Sequence, residues 1–262
     1  MNTVHDVNDR RLDFYRDLRY AQTLHTSSKV FLTDGEKITL SVLQSSLNVR
    51  SILLTQELYE KHLPSIQSKM SEDACYVMSK RDMDILIGFD LHSPMMSIVE
   101  EPVSTPLSSM KGPIIALNGI VNSDNVGGII RNAVGLGFES IITDSTTSSP
   151  YLRRSVRVSM GTVAFAACST SKNLCKDLLM LKNERSIPII SAEITPISKN
   201  VSSYKFPHDF ILVFGSEGHG ISHDILAISD EIVHIPMFNM VNSLNVSSSS
   251  AIILHAAKVQ KG

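Results

Sequence analysis

Long hydrophobic runs are missing from this chain of 262 residues. No stretch stays apolar for the roughly 20 residues that a bilayer-spanning helix needs, so no membrane partner is expected. Cysteine is scarce as well. Cys75, Cys168 and Cys175 are odd in number and form no CxxC pair, which argues against a disulfide framework and against a thiolate zinc site. The first thirty residues interleave Asp6, Asp9, Asp13 and Asp17 with Arg10, Arg11, Arg16 and Arg19. That pattern suits neither a secretory signal nor an acid-poor transit peptide, and a cytoplasmic protein is expected. Acidic residues are absent between Asp144 and Asp177, a gap that holds Arg153, Arg154, Arg157, Lys172 and Lys176. Such a patch suits a phosphate backbone, although a solvated face has the same composition.

What is present suffices for a globular protein of one large or two ordinary domains, with 43% hydrophobic residues to build a core. The net charge of −2 hides an asymmetry. Residues 1–110 hold 11 lysines and arginines against 15 aspartates and glutamates, whereas 111–262 hold 13 against 11. In the first hundred residues, strand-like runs at Val30–Thr33, Ser51–Thr55, Ala74–Met78 and Met95–Val99 alternate with helical patterns at Glu36–Leu47, Leu58–Ser68 and Lys80–Ile87, after a short helix over 10–20. The alternation predicts an α/β domain with a small parallel or mixed sheet. Pro102 and Pro106, with Ser104, Ser108 and Ser109, then mark residues 101–112 as a linker. From 113 to 262 a second α/β domain is expected. Its strands fall at Ile114–Leu117, Ser140–Thr143, Val163–Ala167, Ile187–Ser191 and Phe210–Phe214, and a last helix runs from Leu244 onward.

Three polar constellations stand out in this second part. In Asn125-Val-Gly-Gly-Ile-Ile-Arg131, one helix carries an amide near its start and a guanidinium nearly two turns later, and both are expected to face the same crevice. A dinucleotide site with Asp144 on a ribose is a rival reading, but no G-x-G-x-x-G is present. Gly215-Ser-Glu-Gly-His-Gly220 follows a buried strand, and its three glycines permit close backbone approach to a ligand. It lacks the G-x-S-x-G of a nucleophile elbow. His219 and His223 stand four apart with no third ligand at suitable spacing, so no metal is expected. In the third stretch, Ile235-Pro-Met leads through a polar loop to Ser243-Leu-Asn-Val and a helix. Ser243 and Asn245 are residue types that cap a first turn, and a strand-to-helix junction is where open α/β sheets bind ligands. The small side chains of Ser247–Ser250 favour close packing of this helix on another surface.

Taken in order, Asn125–Ala133, Leu212–Gly220 and Ile235–Val246, joined by Arg153–Gly161, resemble the SpoU (TrmH-like) family of the SPOUT superfamily, RNA 2′-O-ribose methyltransferases that use S-adenosylmethionine. The resemblance covers about residues 113–259. It implies a SPOUT-type α/β domain with a trefoil knot, preceded by a small α/β RNA-binding domain over 1–100, and a homodimer whose active site draws on both subunits. By position, the backbone at Gly215, Ile235 and Leu244 is expected to hold the cofactor, and Asn125, Arg131, Glu217, Ser243 and Asn245 to line the methyl-transfer site. Arg153, Arg154 and Arg157 are the expected RNA contacts. The implied substrate is ribosomal or transfer RNA, with ribosomal RNA favoured by the extra N-terminal domain. A non-catalytic RNA-binding or assembly factor on the same fold is the alternative. Arg131 is the family's activator of the ribose hydroxyl. A guanidinium has no lone pair to accept a proton, so an electrostatic role is expected of it. The chain departs from the family pattern at Ser123-Asp124, where proline is usual, and at Asn239, where glycine is usual. Asparagine tolerates left-handed backbone best among the other residues, so the loop is expected to stay intact.

Overall fold

The protein is described here as a computed structural model covering Met1–Val259. It divides into two compact units, Met1–Pro102 with Tyr151–Ala164, and Val103–Pro150 with the chain from Phe165 onward. Both are α/β.

In the first unit, β1 (Asn2–Thr3), α1 (Gln22–Ser27), β2 (Val30–Asp34), α2 (Glu36–Leu43), β3 (Val49–Leu54), α3 (Gln56–Gln67), β4 (Cys75–Val77), α4 (Lys80–Ile87) and β5 (Met95–Glu100) follow one another. The sheet order is β1-β4-β3-β5-β2, and β5 runs antiparallel to both of its neighbours, so the small sheet is mixed as its sequence suggests. Helix α2 stops short of the expected Leu47. Ser45 Oγ donates to the Val42 carbonyl at 2.7 Å, the local alternative to a continued helix that serine favours. The leading segment is a 3₁₀ turn over Arg10–Tyr15, and the left-handed Asp17 (φ 45°) separates it from α1, which the sequence did not suggest.

The stretch Tyr151–Ala164, with α6 (Arg153–Val158), packs within this first unit. The Tyr151 ring lies 5.4 Å from that of Phe31. Arg153 donates to Asp34 Oδ2 from Nε at 3.2 Å and from Nη2 at 2.6 Å, with its guanidinium 4.9 Å above the Phe89 ring. Left-handed Met160 (φ 55°) and Gly161 (φ 80°) reverse the chain next, and a Cβ on Gly161 would come within 3.1 Å of the Ile38 carbonyl. The strand expected over Val163–Ala167 therefore lies further on, since Thr162–Phe165 forms a 3₁₀ turn with Val163 buried.

The second unit contains β6 (Ile114–Asn118), α5 (Ser123–Gly135), β7 (Ser140–Asp144), β8 (Ala167–Ser171), α7 (Leu174–Arg185), β9 (Ile189–Ala192), β10 (Lys199–Asn200), β11 (Ile211–Gly215), α8 (His223–Ile228), β12 (Glu231–His234) and α9 (Val246–Val259). Its strands form a parallel sheet in the order β10-β12-β9-β11-β6-β7-β8. The central strands read as unbroken apolar runs because both faces are covered, and every residue of β11 is buried. Helices α5 and α9 pack together without room to spare. A Cβ on Gly128 would lie 2.1 Å from Ser247 Oγ, and Asn132 Nδ2 donates to the Ser247 carbonyl at 2.8 Å and to Ser250 Oγ at 3.0 Å. The serine run thus provides the close approach its small side chains suggest. No helix among the described residues is long and apolar enough to cross a membrane.

Candidate active site

The carboxyl ends of the adjacent strands β9, β11 and β12 open into one cleft of about 830 Å³ within the second unit. That volume lies in the range of about 300–1,000 Å³ of small-molecule sites. Gly215, Glu217, Ile235, Ser243 and Leu244 all line it. Three segments far apart in sequence meet there, each a loop leaving a strand end, as parallel sheets arrange ligand sites.

The glycine loop after β11 is held in one shape. Ser216 and Gly220 exchange backbone hydrogen bonds of 3.1 and 2.9 Å. A Cβ on Gly215 would stand 2.3 Å from the Gly220 carbonyl carbon, so the strand can end only in glycine. Gly220 has φ +68°, where a side chain is strained.

A polar triad lies at the start of α9. Asn245 Nδ2 donates to Asn125 Oδ1 at 2.9 Å and to Glu217 Oε1 at 2.5 Å. Its Oδ1 accepts from Ser247 N at 2.9 Å, so the same side chain caps the helix. One side chain thus caps the helix and joins residues of two other segments. Asn125 is 5% exposed, whereas Glu217 and Asn245 are both accessible.

Arg131 does not join this triad. Six residues beyond Asn125 on α5 is a rotation of about 240° from it at helical spacing, so the two side chains leave different faces. Arg131 is exposed and has no hydrogen-bond or ion-pair partner among the described residues. Arg154 and Arg157 are exposed on α6, whereas Arg153 is occupied by Asp34 and Phe89. The loop before α9 carries left-handed Asn239 (φ 55°), as its residue type suggests, and Met240 (φ 60°), which no pattern announced.

Residues outside the three constellations stand at the neighbouring strand ends. Asp144 accepts from Asn118 Nδ2 and Gly119 N, each at 2.9 Å, and from the amides and hydroxyls of Thr146 and Thr147. Burial acts to raise its carboxyl, but hydrogen bonds from Thr147, Asn118 and Thr146 outweigh that and hold it below the usual carboxylate range. With these bonds made inside the protein, Asp144 braces the loop ahead of α5, in place of the ribose contact of a dinucleotide site. Asn118 Oδ1 also accepts from Ser222 N at 2.8 Å, linking the ends of β6 and β7 to the start of α8. Glu193, directly after β9, is another cleft residue. An acid at the end of an apolar strand was the available signal for it. His219 and His223 line the cleft, and no group of three His, Cys, Asp or Glu able to hold a metal occurs among the described residues.

The model of the SpoU rRNA Methylase family matches residues 112–255, more than half of the chain. The chain belongs to that family of RNA methyltransferases. Among curated relatives of this SpoU protein, an uncharacterized tRNA/rRNA methyltransferase of Mycobacterium tuberculosis is 26% identical over 96% of the chain and 90% of its own length. The 23S rRNA (guanosine(2553)-2′-O)-methyltransferase RlmP of Bacillus subtilis is 23% identical over 97% and 98%. Among solved structures, an rRNA methyltransferase from Sinorhizobium meliloti with S-adenosylmethionine bound superposes with a TM-score of 0.84 at 18% identity, covering 98% of this chain and 97% of that one.

Proposed function

We propose that this SpoU protein is a 2′-O-ribose methyltransferase of ribosomal RNA with S-adenosylmethionine as methyl donor. The observation that carries the reading is the Asn245 amide joining Asn125 and Glu217 beside a cleft whose wall leaves no room for a Cβ at Gly215 or Gly220. The cleft fits the donor. It combines the glycine backbone of 215–220 with apolar Ile235, Leu244 and Ile253, suited to a purine, and it carries the carboxylates of Glu193 and Glu217, suited to a cationic ligand.

S-adenosylmethionine supplies an electrophilic methyl group when bound. The chain's own residues do the remaining work, which is positioning and electrostatics. Backbone at Gly215, Ile235 and Leu244 holds the adenosine part. Asn245 fixes Asn125 and Glu217, and Ser243 lies at the mouth for a hydroxyl contact. Arg131 orients an RNA phosphate and stabilises negative charge developing on the ribose 2′-oxygen. Its position suits a site completed by a second subunit, because it faces away from its own Asn125. Phe238 is 76% and Met240 100% exposed in the loop before α9, and Ile252 and Val259 are exposed on the helix itself. This apolar surface suits a homodimer. Arg154 and Arg157 offer charge to the RNA backbone, the first unit serves as the RNA-binding domain, and the last helix threads a trefoil knot. The cytoplasm, where ribosomal RNA is modified, suits the enzyme.

The test is transfer of labelled methyl from S-adenosylmethionine to ribosomal RNA isolated from a strain lacking the protein, followed by mapping of 2′-O-methyl sites. One restored site on ribosomal RNA is expected, and Arg131→Ala should lower the rate by about 100-fold or more. Methylation of transfer RNA alone would move the substrate, and RNA binding without transfer would overturn the enzymatic reading.

A further inference from the structure

Glu193 immediately follows β9, at the carboxyl end of a central strand and on the wall of the cleft. Its Oε1 accepts from Ile194 N at 3.0 Å and its Oε2 from Ile221 N at 2.9 Å. These two bonds fix the carboxylate against the glycine loop, and a Cβ on Gly220 would stand only 2.3 Å from Oε2, so glycine there makes room for it. The carboxylate has no lysine, arginine or histidine ion-pair partner among the described residues, and each oxygen keeps a further lone pair. A fixed, partly buried carboxylate without a counter-charge at a strand end has the geometry that, in open α/β sheets, accepts hydrogen bonds from ribose hydroxyls. Asp144, the other carboxylate at a strand end of this sheet, is saturated by internal donors and unavailable for that role.

We infer that Glu193 recognises the ribose of the cofactor, its carboxylate accepting hydrogen bonds from the 2′- and 3′-hydroxyls while its backbone contacts keep the Ser216–Gly220 turn in place. The inference rests on the placement of S-adenosylmethionine in this cleft. It assigns sugar recognition to a side chain, whereas the rest of the adenosine is held by backbone.

The experiment compares calorimetric affinities of the full-length protein for 5′-methylthioadenosine and its 2′,3′-dideoxy analogue, in the natural protein and in Glu193→Gln and Glu193→Ala. Hydrogen bonds to a charged acceptor should give the natural protein about tenfold or greater preference for the ribose form. Glu193→Ala should reduce the preference to about twofold or less, and Glu193→Gln, which keeps one acceptor oxygen, should fall between. The ratio is read because a loosened turn weakens both ligands alike. Should Glu193→Ala prove unfolded by thermal melting, Glu193→Gln carries the comparison. Equal weakening of S-adenosylmethionine and S-adenosylhomocysteine is expected, since both carry the diol. An unchanged ribose preference in the variants overturns the inference, as does weakening confined to S-adenosylmethionine, which would place the carboxylate on the sulfonium. Undiminished binding in Gly215→Val would instead show that the cofactor lies elsewhere, a failure distinguishable from that of Glu193 alone.

Discussion

Buried hydroxyls in the first unit satisfy one another, whereas the second unit leaves polar groups facing a cleft. Thr33 Oγ1 meets Thr39 Oγ1 at 2.8 Å and Ser97 Oγ at 2.7 Å in a closed cluster, and Arg153 is matched by Asp34 and Phe89. In the second unit the Glu217 and Glu193 carboxylates line the cleft, and Arg131 stands exposed without a partner. Polar groups satisfied internally specify a fold, whereas those on the cleft keep hydrogen-bonding capacity for partners outside the chain. Glycine separates the units in the same way. Gly161 in the first unit serves a chain reversal, while Gly215 and Gly128 in the second permit contact closer than any side chain allows.

That contrast fails first, if it fails, at Gly215. In Gly215→Ala the new methyl meets backbone that cannot yield, at 2.3 Å from the Gly220 carbonyl carbon. A loss of about 3 kcal/mol in stability and a fall of at least ~100-fold in S-adenosylmethionine affinity are expected from melting and calorimetry. Near-natural affinity would show that the wall is not close-packed on a ligand. Gly128→Ala should cost about 2 kcal/mol by pushing α9 off α5, because the added atom falls 2.9 Å from Ser247 Cβ. Partial recovery in a Gly128→Ala, Ser247→Gly double variant would place the strain at that contact.

Asp144→Asn exchanges a multiply bonded carboxylate for an amide and should destabilise the protein by about 2 kcal/mol, read from denaturant midpoints. Its carboxyl is held below its ordinary 3.8 in the folded state, so this stability is fully present above that value and is lost as pH falls through the folded pKa. In the first unit, Arg153→Ala should cost about 1 kcal/mol and leave the salt dependence of RNA binding unchanged. Arg157→Ala should leave stability alone and lower the salt slope by about 1. A reduced slope in Arg153→Ala would mean that its pairing with Asp34 gives way to RNA.

The smallest effect belongs to His25. Burial holds its imidazole below the ordinary 6.5, and its Nε2–H donates to the Phe14 carbonyl at 2.7 Å. The neutral ring is the native form, so the unfolded chain binds more protons below that pH. Melting temperature should therefore decline as pH falls from about 6.5 toward 5, and less so in His25→Gln.

Most of the element order was legible because apolar periodicity reports burial. The runs at Ile114–Leu117 and Phe210–Phe214 became β6 and β11 within a residue of expectation. Elements whose form depends on non-local packing were not legible. Val163 reads as strand but is buried in a 3₁₀ turn, because Met160 and Gly161 reverse the chain against Ile38. Helix α1 is six residues long, too short for periodicity to declare.

By itself, the sequence determined the α/β class, the ordered motif set of the SpoU family and the residue types at the cleft, since composition and spacing are properties of one dimension. Only the tertiary structure decided which of those residues meet. It joined Asn125, Glu217 and Asn245, set Arg131 apart, tied Arg153 to Asp34 and brought Glu193 to the glycine loop. The physical reason is that hydrogen bonds depend on distance and direction across strand ends, and residues about 120 positions apart in sequence, such as Asn125 and Asn245, acquire both only when the parallel sheet aligns their loops.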